Sequence, residues 1–139
     1  MESSLPCAAH NNRKLPNKFE ILDKYVRILR TEFKTKYPFR VYRREHLFWN
    51  PQTDQMTCNY RAESWGWRRL YGCCDGPPNY KKRFVIYVAY HADASFMADT
   101  LFHEFAHVLE WPPKRKEHTQ KYFAAYGRIY QRCIDNFKE

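Results

Sequence analysis

Residues 83–113 read RFVIYVAYHADASFMADTLFHEFAHVLEWPP, and the change of hydrophobic period inside this stretch decides the fold class. From Arg83 to Tyr90 β-branched and aromatic side chains dominate, which predicts a strand. After His91 the apolar residues recur at helical spacing, predicting a helix from about Ser95 to Trp111 with Asp93 or Ser95 as its cap. Pro112 and Pro113 stop that helix, because neither donates a backbone hydrogen bond and the first restricts the residue before it.

The helix carries His103-Glu104-Phe105-Ala106-His107, an HExxH sequence whose spacing does chemical work only on a helix. At about 100° per residue, His103 and His107 lie roughly 40° apart and one turn apart, so their imidazoles can converge on one cation. Glu104 sits at the edge of the same face, while Phe102, Phe105, Ala106 and Leu109 fall on the other side and should pack on the sheet.

A catalytic zinc needs a third protein ligand and one position open to water. His118 is the foremost candidate: the diproline lets the chain reverse, and the spacing puts His118 in the first turn of the next helix, four residues before the inward Tyr122. Glu110, one turn beyond His107, and Glu117 compete for the role, and Asp99, one turn before His103, is placed to orient an imidazole. Three neutral imidazoles leave the metal its full double charge, which lowers the pKa of a bound water to about 7, and Glu104 is positioned to take its proton. Tyr122 and Tyr126 are the nearest hydroxyls for an oxyanion. His10, His46 and His91 have no partner at ligand spacing and read as structural or exposed.

Outward from this stretch, the apolar residues Phe19, Leu22, Val26, Leu29 and Phe33 recur at three- and four-residue steps and predict a helix from Lys18 to about Lys36, capped by Asn17 and ended by Pro38. Phe39 to Arg44 alternates as a strand does, NPQTD at 50–54 and DGPPN at 75–79 mark turns, and Trp65 to Cys73 is aromatic-rich enough for another strand. A last helix from about Lys116 has Tyr122, Tyr126, Ile129, Tyr130, Cys133, Ile134 and Phe137 on its apolar side. The expected fold is α+β: an N-terminal helix, a small, mostly antiparallel sheet of three to four strands, the HExxH helix and a C-terminal helix bearing the third ligand. Residues 1–16 lack any period and read as a flexible arm, leaving 17–139 as one domain.

Composition narrows the setting. Apolar residues make up 44% of the chain and aromatics 18%, enough for an ordered core. No run approaches the roughly 20 apolar residues that span a bilayer, and the start, MESSLPCAAHNN, has no secretory pattern, so an intracellular protein that avoids membranes is expected. Five cysteines without Cys-x-x-Cys spacing read as free thiols. The net charge is +9, and from Lys24 to Arg44 eight basic residues face only Glu32, a balance that favours acidic partners such as nucleic acid. The Trp65, Trp67, Arg68, Arg69 cluster fits either a stacking surface for nucleic acid or a core. From His91 to Trp111 every charged residue is acidic (Asp93, Asp99, Glu104, Glu110), which suits a bound cation.

The strand Phe84 to Ala89, then Leu101-Phe102-His103-Glu104-Phe105-Ala106-His107, then His118 with Tyr122 four residues on, resembles the SprT-like zinc metallopeptidases. That resemblance implies His103, His107 and His118 as ligands of one zinc ion, Glu104 as acid/base, and an extended peptide beside the strand that precedes the HExxH helix. Family members usually carry Gly after the third histidine, where Thr119 stands here. The run from His103 to Glu110 is also similar to the MtfA-type peptidases, whose third ligand is acidic. The expected function is zinc-dependent hydrolysis of peptide bonds in a protein or peptide substrate, including proteins associated with DNA. The alternative is a catalytically silent zinc-containing module that binds nucleic acid or protein.

Overall fold

The computed structural model describes residues 17–112 and 118–137. Lys18–Glu32 form helix α1, and the side chain of Asn17 caps it by accepting the Glu20 amide at 2.9 Å. Phe33 is already extended, so α1 stops short of the predicted end near Lys36. Tyr37, the next apolar side chain, packs on the core from outside the helix, and Pro38 disfavours helical backbone at the residue before it.

Strands β1 (Phe39–Arg44), β2 (Leu47–Asn50), β3 (Gln55–Thr57), β4 (Arg68–Leu70), β5 (Gly72–Asp75) and β6 (Phe84–Ala89) follow, and then helices α2 (Ala94–Leu109) and α3 (Gln120–Phe137). The α+β layout read from the sequence holds, with the strands divided between two sheets. In the first, of order β1-β6-β5, β1 runs parallel to β6 with Phe39 beside Phe84 and Val41 beside Ile86, and β5 runs antiparallel to β6. The second is antiparallel, of order β3-β2-β4. Its β2–β3 hairpin turns at the predicted 50–54 segment, with the apolar Leu47 and Phe48 buried just before it.

The one strand predicted over Trp65 to Cys73 is two strands in different sheets. Tyr71 sits at the crossing, where its carbonyl accepts the Ala89 amide at 2.8 Å and the chain passes from pairing with β2 to pairing with β6. Trp65 is 54% exposed and is therefore no core residue.

Helix α2 lies against β5, β6, α1 and α3, and the core forms around it. Leu22 and Leu29 of α1, Ile86 and Val88 of β6, Leu101, Phe105 and Ala106 of α2, and Ala125 and Ile129 of α3 are all fully enclosed. Asp93 caps α2 through the Phe96 amide. Among the described residues no helix is long and apolar enough to cross a membrane, and Cys58, Cys73, Cys74 and Cys133 are free thiols. The predicted arm, residues 1–16, lies outside the described residues.

The last helix begins at Gln120, not near Lys116, so His118 stands two residues ahead of it and not in its first turn. Thr119 takes the capping place: its hydroxyl accepts the Tyr122 amide at 3.2 Å and its carbonyl accepts the Phe123 amide at 3.0 Å.

Phe105 joins the layers, its ring 4.9 Å from that of Phe39 and 5.7 Å from that of Phe33. Phe105→Ala should cost about 3–5 kcal/mol, read as a lowered urea midpoint with an unchanged slope.

Candidate metal centre

His103 and His107 share one strip of α2 because four residues make just over one helical turn, and the chain reversal after Trp111 returns His118 to that strip. One ring nitrogen from each of the three histidines lies within 4.8 Å of the others. The ring centroids are 5.3 Å apart for His103 and His107, 4.9 Å for His103 and His118, and 5.3 Å for His107 and His118. A tetrahedral zinc holds its nitrogen ligands at about 2.0–2.1 Å, so about 3.3 Å from one another, and the cluster is of that order of size. The three imidazoles can thus hold a metal ion.

Tyr122 builds the floor of this cluster. Its ring stacks on His118 at 4.5 Å and lies 4.6 Å from that of His107, and its hydroxyl donates to the His103 carbonyl at 2.9 Å. At 1% exposure its phenol is a buried brace between α3 and α2, so it is no free oxyanion donor. The Tyr126 hydroxyl donates to the Asp99 carboxylate and is committed likewise. Asp99 acts on His103 through its charge, which favours the imidazolium; burial and His118 outweigh it and hold the His103 pKa below its ordinary value. A neutral imidazole at neutral pH is the form that binds a metal.

Glu104 is the buried acid of the site, 9% exposed, and desolvation alone pushes its pKa up to about 7. It lines a cleft of about 640 Å³ together with His107 and His118. One wall of the cleft is β5, with Gly72, Cys73 and Asp75; another comes from the second sheet through Trp49, Asp54 and Met56. The two sheets touch where the Cys73 thiol lies 3.1 Å from the Met56 sulfur. Burial and then the charge of Glu104 push the Cys73 thiol up to about 12, so it is an inert lining group. Trp111 closes the end of the cleft, its indole nitrogen donating to the Pro77 carbonyl at 2.9 Å.

The other sequence candidates lie elsewhere. Glu110 caps the carboxyl end of α2 and is not part of the histidine cluster, and Glu117 lies outside the described residues. His46 and His91 stack on each other at 5.5 Å; His46 meets Arg69 at 3.1 Å and His91 meets the Glu45 carbonyl at 3.1 Å. His10 is outside the described residues. Gly72, Met56 and Trp49 were not singled out in the sequence, because their part in the cleft depends on two sheets meeting and no local pattern records that.

Fold and site together define an α+β protein with a three-histidine cluster that can bind a metal ion, beside a buried glutamate in an open cleft. No protein-family model, no curated protein and no solved structure matches the chain.

Two outcomes follow. Replacing His103, His107 or His118 with Ala should each remove stoichiometric metal, measured by mass spectrometry of the purified protein. In the metal-free protein, folded Glu104 keeps its proton up to about pH 7, whereas in the unfolded chain it loses it near the ordinary 4.5. The folded state therefore binds more protons across that window, and stability should fall as pH rises from about 4.5 to about 7, by up to a few kcal/mol. Denaturation of Glu104→Gln across the same range should lack this fall.

Proposed function

We propose that this chain is a zinc-dependent metallopeptidase of SprT-like type, with His103, His107 and His118 as the metal ligands and Glu104 as the general base and acid. The observation that carries the reading is the placement of Glu104: buried, desolvated and facing the same cleft as His107 and His118. A metal site that serves structure alone has no need of a buried carboxylate at an open position, which disfavours the silent binding module.

Zinc, when bound, supplies a Lewis acid that polarises the scissile carbonyl and acidifies water. Glu104 takes the proton of the attacking water and returns it to the amine nitrogen as the C–N bond breaks, a task suited to a carboxyl whose proton affinity burial has raised toward neutrality. Tyr122 holds the α2 backbone at His103 and keeps two of the imidazole faces packed. The cleft, walled by β5 and by Trp49, Met56 and Trp111, has room for an extended peptide segment. The basic charge of the chain favours substrates associated with nucleic acid, inside the cell.

Glu104→Gln should bind about one zinc per chain and cleave fluorescein-labelled casein at least 10³-fold more slowly than the wild type. Cleavage at the wild-type rate by the zinc-loaded variant would refute the assignment. Equal cleavage of a DNA-binding protein with and without DNA would remove the nucleic-acid part alone.

A further inference from the structure

Four glycines occur in the chain, and they are glycine for different reasons. Gly66 has φ +82° with open space around it, a backbone conformation that L side chains rarely adopt, and Gly127 also faces open space. A Cβ on Gly76 would strike the Phe84 ring at 2.5 Å and approach Trp111 at 3.3 Å. Gly72 is the exception. A Cβ there would lie 2.4 Å from Thr100 Cγ2, 2.8 Å from the Tyr87 carbonyl oxygen and 3.5 Å from Glu104 Cγ.

Those atoms describe one contact. Gly72 begins β5 and pairs with Val88, on the face of the first sheet that α2 covers. Thr100 and Glu104 are one turn apart on α2 and form a ridge pointing at β5. They are the two buried polar side chains among the described residues, 8% and 9% exposed. The helix seats on the strand at this point because the strand has no side chain there, and the Tyr87 carbonyl behind Gly72 belongs to β6 and cannot yield.

We propose that Gly72 is a positioning residue: its missing side chain lets the Thr100–Glu104 ridge rest on the β5 backbone, and this seat fixes the Glu104 carboxylate in the cleft beside His107 and His118. The proposal deepens the peptidase reading and rests on it for its kinetic consequence. A methyl group at position 72 lifts the ridge and displaces Glu104 while leaving all three histidines intact. A displacement near 1 Å at a reacting group costs about 10²-fold in rate.

The test compares wild type, Gly72→Ala, Thr100→Ser, the double variant Gly72→Ala/Thr100→Ser and Gly76→Ala for zinc content, melting temperature, and kcat and KM on one quenched fluorescent peptide. Gly72→Ala should keep its zinc and lose about 10- to 100-fold in kcat. Thr100→Ser removes the methyl group that the new Cβ meets at 2.4 Å but leaves the Tyr87 carbonyl at 2.8 Å, so the double variant should recover part of that loss. Gly76→Ala should melt earlier and keep its zinc. A zinc-loaded Gly72→Ala with wild-type kcat, or a double variant with no recovery, overturns the proposal. Should Gly72→Ala fail to fold, Thr100→Ile overfills the same gap from the helix side, and wild-type kcat there overturns it equally. Cobalt(II) loaded in place of zinc separates this from failure of the peptidase reading. If the wild type cleaves nothing, that reading fails, yet Gly72→Ala should still shift the visible cobalt spectrum in the direction that Glu104→Gln does; an unshifted spectrum overturns the positioning role.

Discussion

Helix α2 has to be a core helix and a chemical helix at once. Nine of its sixteen residues are buried, and the strip left over carries His103 and His107. The apolar set Met97, Leu101, Phe105 and Val108 fixes the rotation of the helix about its axis, and that rotation decides where the two imidazoles point. Because Phe105 meets rings from both α1's end and β1, a turn of α2 by even one residue's angle would put a histidine into the core and expose a phenylalanine. Hydrophobic burial thus orients the ligands before any metal is present.

The polar part of the centre depends on the same burial. Enclosure drives the His103 pKa down and the Glu104 pKa up, each toward its neutral form. Neutral imidazoles can bind a cation, and a carboxyl near neutrality can exchange a proton. The hydroxyls that look free in the sequence are bound elsewhere: Tyr122 to the His103 carbonyl and Tyr126 to Asp99. These contacts tie α3 to α2 and hold in place the helix that follows the third histidine.

The cleft is made by elements distant in sequence. The second sheet is inserted between β1 and β5, and its hairpin supplies Trp49 and Met56 across from Cys73. The Trp111 indole pins the Pro77 carbonyl and so joins the turn before β6 to the end of α2. Each of these contacts closes a loop of tens of residues and is held by the packing of both ends, which is the reason no short window of sequence announces it.

Periodicity determined α1, β1 and α2, since each buries one face against a neighbour, and β-branched and aromatic content determined β6, which is buried on both faces. Periodicity also determined that His103, Glu104 and His107 share a helix, because that spacing is local. The end of α1, the break at Tyr71 and the start of α3 were not legible. The last two turn on a change of pairing partner between sheets and on a threonine that caps the helix beyond the position the spacing suggests. The tertiary structure alone decided that His118 returns to the other two histidines from outside a helix, that Trp49 and Met56 face the same cleft, and that Gly72 is glycine for want of space. Those are statements about distances between segments, and in a chain such distances are set by how the whole core packs.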